Sequence, residues 1–184
     1  QSNNDLPGMT IKLTKTGDDN TFYFADKHVI KAYEDYVYVV DGMDGIDMEK
    51  ISLFFDFGGN PAGTEVTIKD IVFREHVESG NAGGGSGDTV IDPNSPDNMW
   101  LSMSVEEMFY YYAPGWNQID NPETEVNGNS LTVTLPEATT DQWQAQVAFR
   151  TNLSSQAGKK YDFYCVVQSN NDLPGMTIKL TKTG

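Results

Sequence analysis

One stretch of this chain occurs twice. QSNNDLPGMTIKLTKTG runs from Gln1 to Gly17 and returns, letter for letter, from Gln168 to Gly184. Nothing between the copies recurs, so the repeat is not a unit of a solenoid or a propeller. Its identity is also too complete for two diverged domains. The two ends of the chain are therefore alternative occupants of one structural slot. Within the repeat, Met9, Ile11 and Leu13 alternate with Thr10, Lys12 and Thr14, which is the period of a half-buried strand.

A second feature accounts for the first. From Ser79 to Gly87 the chain reads SGNAGGGSG, a flexible bridge with no side chain able to build a core. Together the two features predict an engineered circular permutant. Its parent domain begins near Asp88, runs through Gly184, resumes at Asp18 and ends near Glu78. A natural glycine-rich loop with a recent tandem duplication is the alternative. On the first reading residues 1–184 form a single permuted domain, 1–17 and 168–184 are identical strand segments, and 79–87 joins the parent termini. The surplus copy is expected to pair with a neighbouring molecule, giving a strand-swapped homo-oligomer.

The composition restricts the partners. Lys and Arg number 12 against 27 Asp and Glu, a net charge of -15, which repels phosphate backbones and anionic lipid. Neither nucleic acid nor a membrane is an expected partner, and no apolar run reaches the roughly 18 residues of a membrane span. Cys165 is the only cysteine, so no internal disulfide forms.

The rest of the chain reads as short strands separated by turn chemistry. Phe22–Phe24, Ala32–Val40, Ile51–Phe57, Val66–Phe73, Trp100–Val105, Leu131–Leu135, Gln142–Phe149 and Tyr161–Gln168 carry β-forming or alternating residues. Asp41 to Gly45 reads as a loop, and no long stretch has helical periodicity. Many strands at roughly 8–12-residue spacing predict an all-β sandwich of the jelly-roll kind.

Catalytic and metal motifs are sparse. His28 and His76 stand far apart, each without a Cys or His at ligand spacing, which argues against zinc. Cys165 sits mid-strand and reads as a small core residue. Glu106 and Glu107 are adjacent, so on a strand they point to opposite faces and cannot act as an acid/base pair. A non-enzymatic role is expected; the alternatives are a glycosidase whose two carboxylates are distant in sequence and meet in space, and a jelly-roll scaffold that assembles through the duplicated strand without a ligand.

The positive signal is aromatic. Pyranose rings present flat C–H faces on which aromatic rings stack, while amides and carboxylates bind the hydroxyls. Gln142, Gln144 and Gln146 alternate with Trp143, Ala145 and Val147, and Phe54 with Asp56 falls opposite Leu53, Phe55 and Phe57. The segment FYYYAPGW, Phe109 to Trp116, adds a dense aromatic patch. A buried core tryptophan and an ordinary solvated glutamine face are the competing readings of the Trp143 strand.

Trp143–Gln146, then Leu153, then Ala157–Tyr161 leading into a strand, resemble the carbohydrate-binding modules of families 4, 9 and 22. Ile68–Phe73 is similar to their closing strand, and FYYYAPGW with TTDQWQAQ looks most like modules attached to xylanases of gut bacteria. The resemblance implies a sandwich that binds one β-1,4-xylan or β-glucan chain on a concave face and targets an attached glycoside hydrolase. It also implies a parent that is secreted or cell-surface. By this resemblance Trp143 stacks on a sugar ring, Phe54 and Asp56 form an aromatic–acid pair, and Gln146 binds hydroxyls. Gln144 is grouped with them from the glutamine pattern. Tyr23 is a looser aromatic match, and Trp116 is added from its Pro-Gly setting. Such modules often hold a structural Ca²⁺, for which Asp70 matches one ligand and Glu107 a second. The start of the domain departs from the family's Asn-Gly-x-Phe-Glu pattern.

Overall fold

The computed structural model describes residues 22–77, 91–103, 105–112, 117–119, 124–127 and 130–182. Eleven strands run through them: β1 (Phe22–Ile30), β2 (Tyr36–Asp44), β3 (Ile51–Asp56), β4 (Glu65–Glu75), β5 (Val105–Tyr112), β6 (Asn117–Ile119), β7 (Thr124–Asn127), β8 (Ser130–Thr134), β9 (Ala145–Thr151), β10 (Lys160–Ser169) and β11 (Leu173–Lys182). They form two antiparallel sheets, ordered β1-β11-β3-β9-β5-β6 and β2-β10-β4-β8-β7. The chain is an all-β sandwich. Among the described residues no helix is long and apolar enough to cross a membrane.

Alternation decides which side chains meet between the sheets. Leu53, Phe55 and Phe57 from β3 and its end are fully buried, as are Ile178 and Leu180 from β11. They face Phe163, Cys165 and Val167 of β10 and Leu131 and Val133 of β8 in one core. Phe73 stacks on Tyr161, with ring centroids 5.2 Å apart. His28 of β1 is buried beneath Tyr36 and Tyr38 of β2, with its Nδ1 2.8 Å from the Tyr36 hydroxyl, tying the first edges of the two sheets together.

In β4 the core set runs Val66, Ile68, Ile71, Phe73, a sequence that skips out of period two. The reason is a bulge. Tyr164 pairs with Val72 but Val166 pairs with Lys69, and Asp70 takes φ +55° between them. One extra residue resets the phase, so both halves of β4 point inward. Asp tolerates this left-handed conformation better than a branched residue would.

Three sequence expectations give way. Trp100 opens no strand: Asn98 caps a short helix, α1 (Met99–Ser102), by accepting from the Trp100 N–H, and Trp100 packs edge-on to Phe149. Asp41 to Asp44 is strand rather than loop, the far half of β2. Ala32 to Asp35 is a turn, so β2 begins only at Tyr36.

The C-terminal copy of the repeat supplies β11, hydrogen-bonded to β1 on one side and β3 on the other. The first copy, Gln1 to Gly17, and the bridge, Ser79 to Gly87, lie outside the described residues.

Candidate functional site

The six-stranded sheet turns one face to the core and one away from it. On the outward face, register aligns Thr177, Asp56 and Gln146 in one row across β11, β3 and β9, and Lys179, Phe54 and Ala148 in the next. Phe54, Asp56 and Gln146 therefore share this face, as alternation predicts.

Asp56 is the chemical centre of the row. It is only 6% exposed, and Lys179 donates to its Oδ2 at 2.6 Å. The same ammonium lies 5.3 Å from the centroid of the Phe54 ring, a cation–π arrangement. Burial raises the Asp56 carboxyl above its ordinary value, and the Lys179 charge and hydrogen bond, with a polar contribution from Gln146, offset this only in part. Among the described residues the Gln146 amide is near enough to favour the ionised carboxylate, but no hydrogen bond of good geometry reaches the buried Oδ1. A buried, unsatisfied carboxylate oxygen is costly and calls for an explanation.

Trp143 lies at the same end of β3. It sits in a 3-10 turn, Gln142–Gln144, that precedes β9, so the three glutamines do not alternate along one strand. The turn is seated by Gly58, whose N–H donates to the Gln142 carbonyl at 2.8 Å. A Cβ on Gly58 would collide with the Asp141 carbonyl, so glycine is required for this close approach. Trp143 is 42% exposed, which rejects the core-tryptophan reading. Gln144 has a different occupation. Its Oε1 accepts from the Thr140 and Asp141 N–H groups at 2.8 and 3.0 Å, closing a capping box with Asp141. Among the described residues Gln142 Nε2 is buried without a hydrogen-bond partner.

Tyr23 falls in β1 at a register shift opposite β11, and its side chain lies outside the described part, as does that of Glu107 in β5. Trp116 lies outside the described residues altogether. Asp70 and Glu107 belong to strands of different sheets. The bulge gives Asp70 a backbone role of its own.

The sequence reading missed Lys179, and it missed a second ionic cluster. Asp162 of β10 is buried and accepts from the Gly42 N–H at 2.9 Å, from Arg74 Nε at 3.0 Å, and pairs with His76 Nδ1 at 2.7 Å. Asp41 lies 3.4 Å from the same imidazole nitrogen, and Asp97 reaches Arg74 at 3.6 Å. Burial pushes the Asp162 carboxyl up, but Gly42, His76 and Arg74 together hold it below its ordinary value. Asp41, His76 and Asp162 are the group of described residues whose ligand atoms converge as a metal site requires. Arg74 holds the other carboxylate oxygen of Asp162. Cys165 is fully buried, and burial drives its thiol far up, as a core residue rather than a nucleophile.

A groove of about 620 Å³ lined by Asp47, Glu49, Ser154, Gln156 and Lys182 lies at the Ile51 end of β3, away from Asp56. Among the described residues no aromatic ring lines it. In comparisons with known proteins, no family model matches the chain, and no curated protein or solved structure does either.

Proposed function

We propose that this protein is a non-catalytic carbohydrate-binding module whose ligand is a β-1,4-linked chain, xylan or a related β-glucan, bound on the outward face of the six-stranded sheet. The observation that carries this reading is Asp56: a carboxylate buried on an outward face, held by Lys179 at one oxygen and unsatisfied at the other. That oxygen has less than 1 Å² of accessible surface, so a sugar hydroxyl would reach it once a neighbouring side chain moves aside, and would then relieve the cost of leaving it unpaired. Phe54 beside it and exposed Trp143 at the end of β3 offer ring faces for pyranose C–H groups. Gln146 supplies an amide in the same row.

The permutation belongs to the same reading. Asn98 bonds the Phe73 N–H and the Ile71 carbonyl, and Asp97 pairs with Arg74, so the segment after the glycine bridge lies against the strand before it. Parent termini placed that way can be joined by a short flexible link. In parent order the strands run β5 to β11 and then β1 to β4, and a jelly-roll ancestry is part of this proposal.

Titration of tryptophan fluorescence with xylohexaose, and with cellohexaose in parallel, tests the ligand. Saturable quenching by either oligosaccharide is expected, with affinity falling about tenfold or more in Trp143→Ala. Undiminished binding by Trp143→Ala would remove that residue from the site. Silence from both sugars in the folded parent would overturn the module reading, and reducing-sugar release from xylan would overturn its non-catalytic part.

A further inference from the structure

We infer that the place between β1 and β3 is an exchangeable slot, and that residues 1–17 of the same chain are its second occupant. The structure defines what an occupant must supply. Leu173, Met176, Ile178 and Leu180 are buried in the core, and Lys179 reaches Asp56. The first copy offers Leu6, Met9, Ile11, Leu13 and Lys12 at the same spacings.

The repeat also extends beyond the strand, to the corner that introduces it. Asn170 bonds the Glu65 N–H and the Gly63 carbonyl, Asn171 reaches the Thr64 hydroxyl, and Asp172 bonds the Ala32 N–H and Lys31. Asn3, Asn4 and Asp5 repeat that corner. The duplicated unit is therefore the whole set of contacts a strand makes on entering and filling the slot.

Connectivity permits the replacement. β11 and β1 are antiparallel neighbours, with Phe22 opposite Thr181. In the first copy Thr14 takes the place of Thr181, which leaves residues 15–21 to turn back into β1. That connection contains Thr16-Gly17-Asp18-Asp19-Asn20, turn-forming throughout. In sequence only the seven residues 15–21 separate the first copy's strand from β1, while the C-terminal copy is joined to β10 through residues 170–172.

Strand counting favours replacement within one molecule. Each chain has one slot and two copies, so entering a neighbour's slot displaces the neighbour's own strand and gains no net pairing. A tethered copy also competes at a high effective concentration. Two folds of one chain, alike in every slot contact, then differ only in which end is surplus.

Ile178→Asp, Ile11→Asp and the double variant test the proposal, since a carboxylate at the buried position disqualifies a copy. Each single variant is expected to remain a monomer with cooperative unfolding and the parent's near-ultraviolet dichroism, and the double variant to lose both. Hydrogen exchange then reads the occupant, because the substitution gives the two otherwise identical peptides different masses. In Ile178→Asp, amide protection should be found in peptide 1–17 and lost from 168–184. Unfolding of Ile178→Asp to the extent of the double variant would overturn the proposal. Folding of that variant only as a concentration-dependent oligomer would overturn it too, by showing that the second occupant comes from another chain.

Discussion

Two buried aspartates, one on each sheet, hold opposite positions in the energetics of this molecule. Asp162 collects a backbone N–H, an imidazole and a guanidinium, and its carboxyl is held below the ordinary range. Asp56 has Lys179 at one oxygen, nothing well formed at the other, and a carboxyl raised by burial. The first is a completed network that ties β2, β4 and β10 together. The second leaves one oxygen without a well-formed partner among the described residues. Burial alone does not set the energetics of a carboxylate; the balance of donors around it does.

The largest expected effect follows from breaking the completed network. Asp162→Ala leaves Arg74 and the Gly42 N–H without their acceptor, and should cost about 3 kcal/mol or more in denaturant unfolding. Asp56→Asn keeps the shape and removes a charge that burial disfavours, so a cost of about 1 kcal/mol or less is expected, with sugar binding weakened. Equal losses from the two substitutions would collapse the distinction between the sites.

The pH dependences should run in opposite directions. Asp162 has a folded pKa below its unfolded value of 3.8, so its stabilisation is present above that pH and disappears as pH falls through the folded pKa. Asp56 has a folded pKa above 3.8, so its ionised form weakens the fold at neutral pH, and protonation restores stability as pH falls through the raised pKa towards 3.8. Against Asp162→Asn the parent should therefore lose ground in acid, below about 3.8. Against Asp56→Asn it should gain ground, and do so above 3.8. Stability curves of the three proteins from neutral pH to about pH 3 check both signs, since other carboxylates cancel in each difference.

How much of this was legible in the sequence depends on the reach of each interaction. Alternation alone put Leu53, Phe55 and Phe57 in the core and Phe54 with Asp56 on the other face, because period two is a local property of the strand. It failed at Asp70, where a bulge changes the phase inside β4 with no glycine or proline to announce it. The far half of β2 read as a loop because Asp41 and Gly42 are turn residues, yet Gly42, at φ +61°, gives its N–H to Asp162 across the sheet. Lys179 and the Asp162 cluster were invisible for a related reason. Their partners are distant in sequence and meet only through register.

The smallest effect separates two glutamines that the sequence put in one row. Gln144 spends its Oε1 on the Thr140 and Asp141 N–H groups, whereas Gln146 lies beside Asp56 on the outward face. Gln144→Ala removes a capping contact, with an expected cost of about 1 kcal/mol, and it also loosens the turn that carries Trp143. Gln146→Ala removes an amide from a solvated face, with a stability change of about 0.5 kcal/mol or less. In sugar titrations the order should differ in kind. Gln146→Ala should weaken binding through a lost hydroxyl contact whatever the temperature, while the Gln144→Ala defect should grow on warming, as the turn frays. If both variants bind with the parent's affinity from about 10 to 40 °C, neither glutamine serves the ligand, and the site narrows to Phe54, Asp56, Lys179 and Trp143.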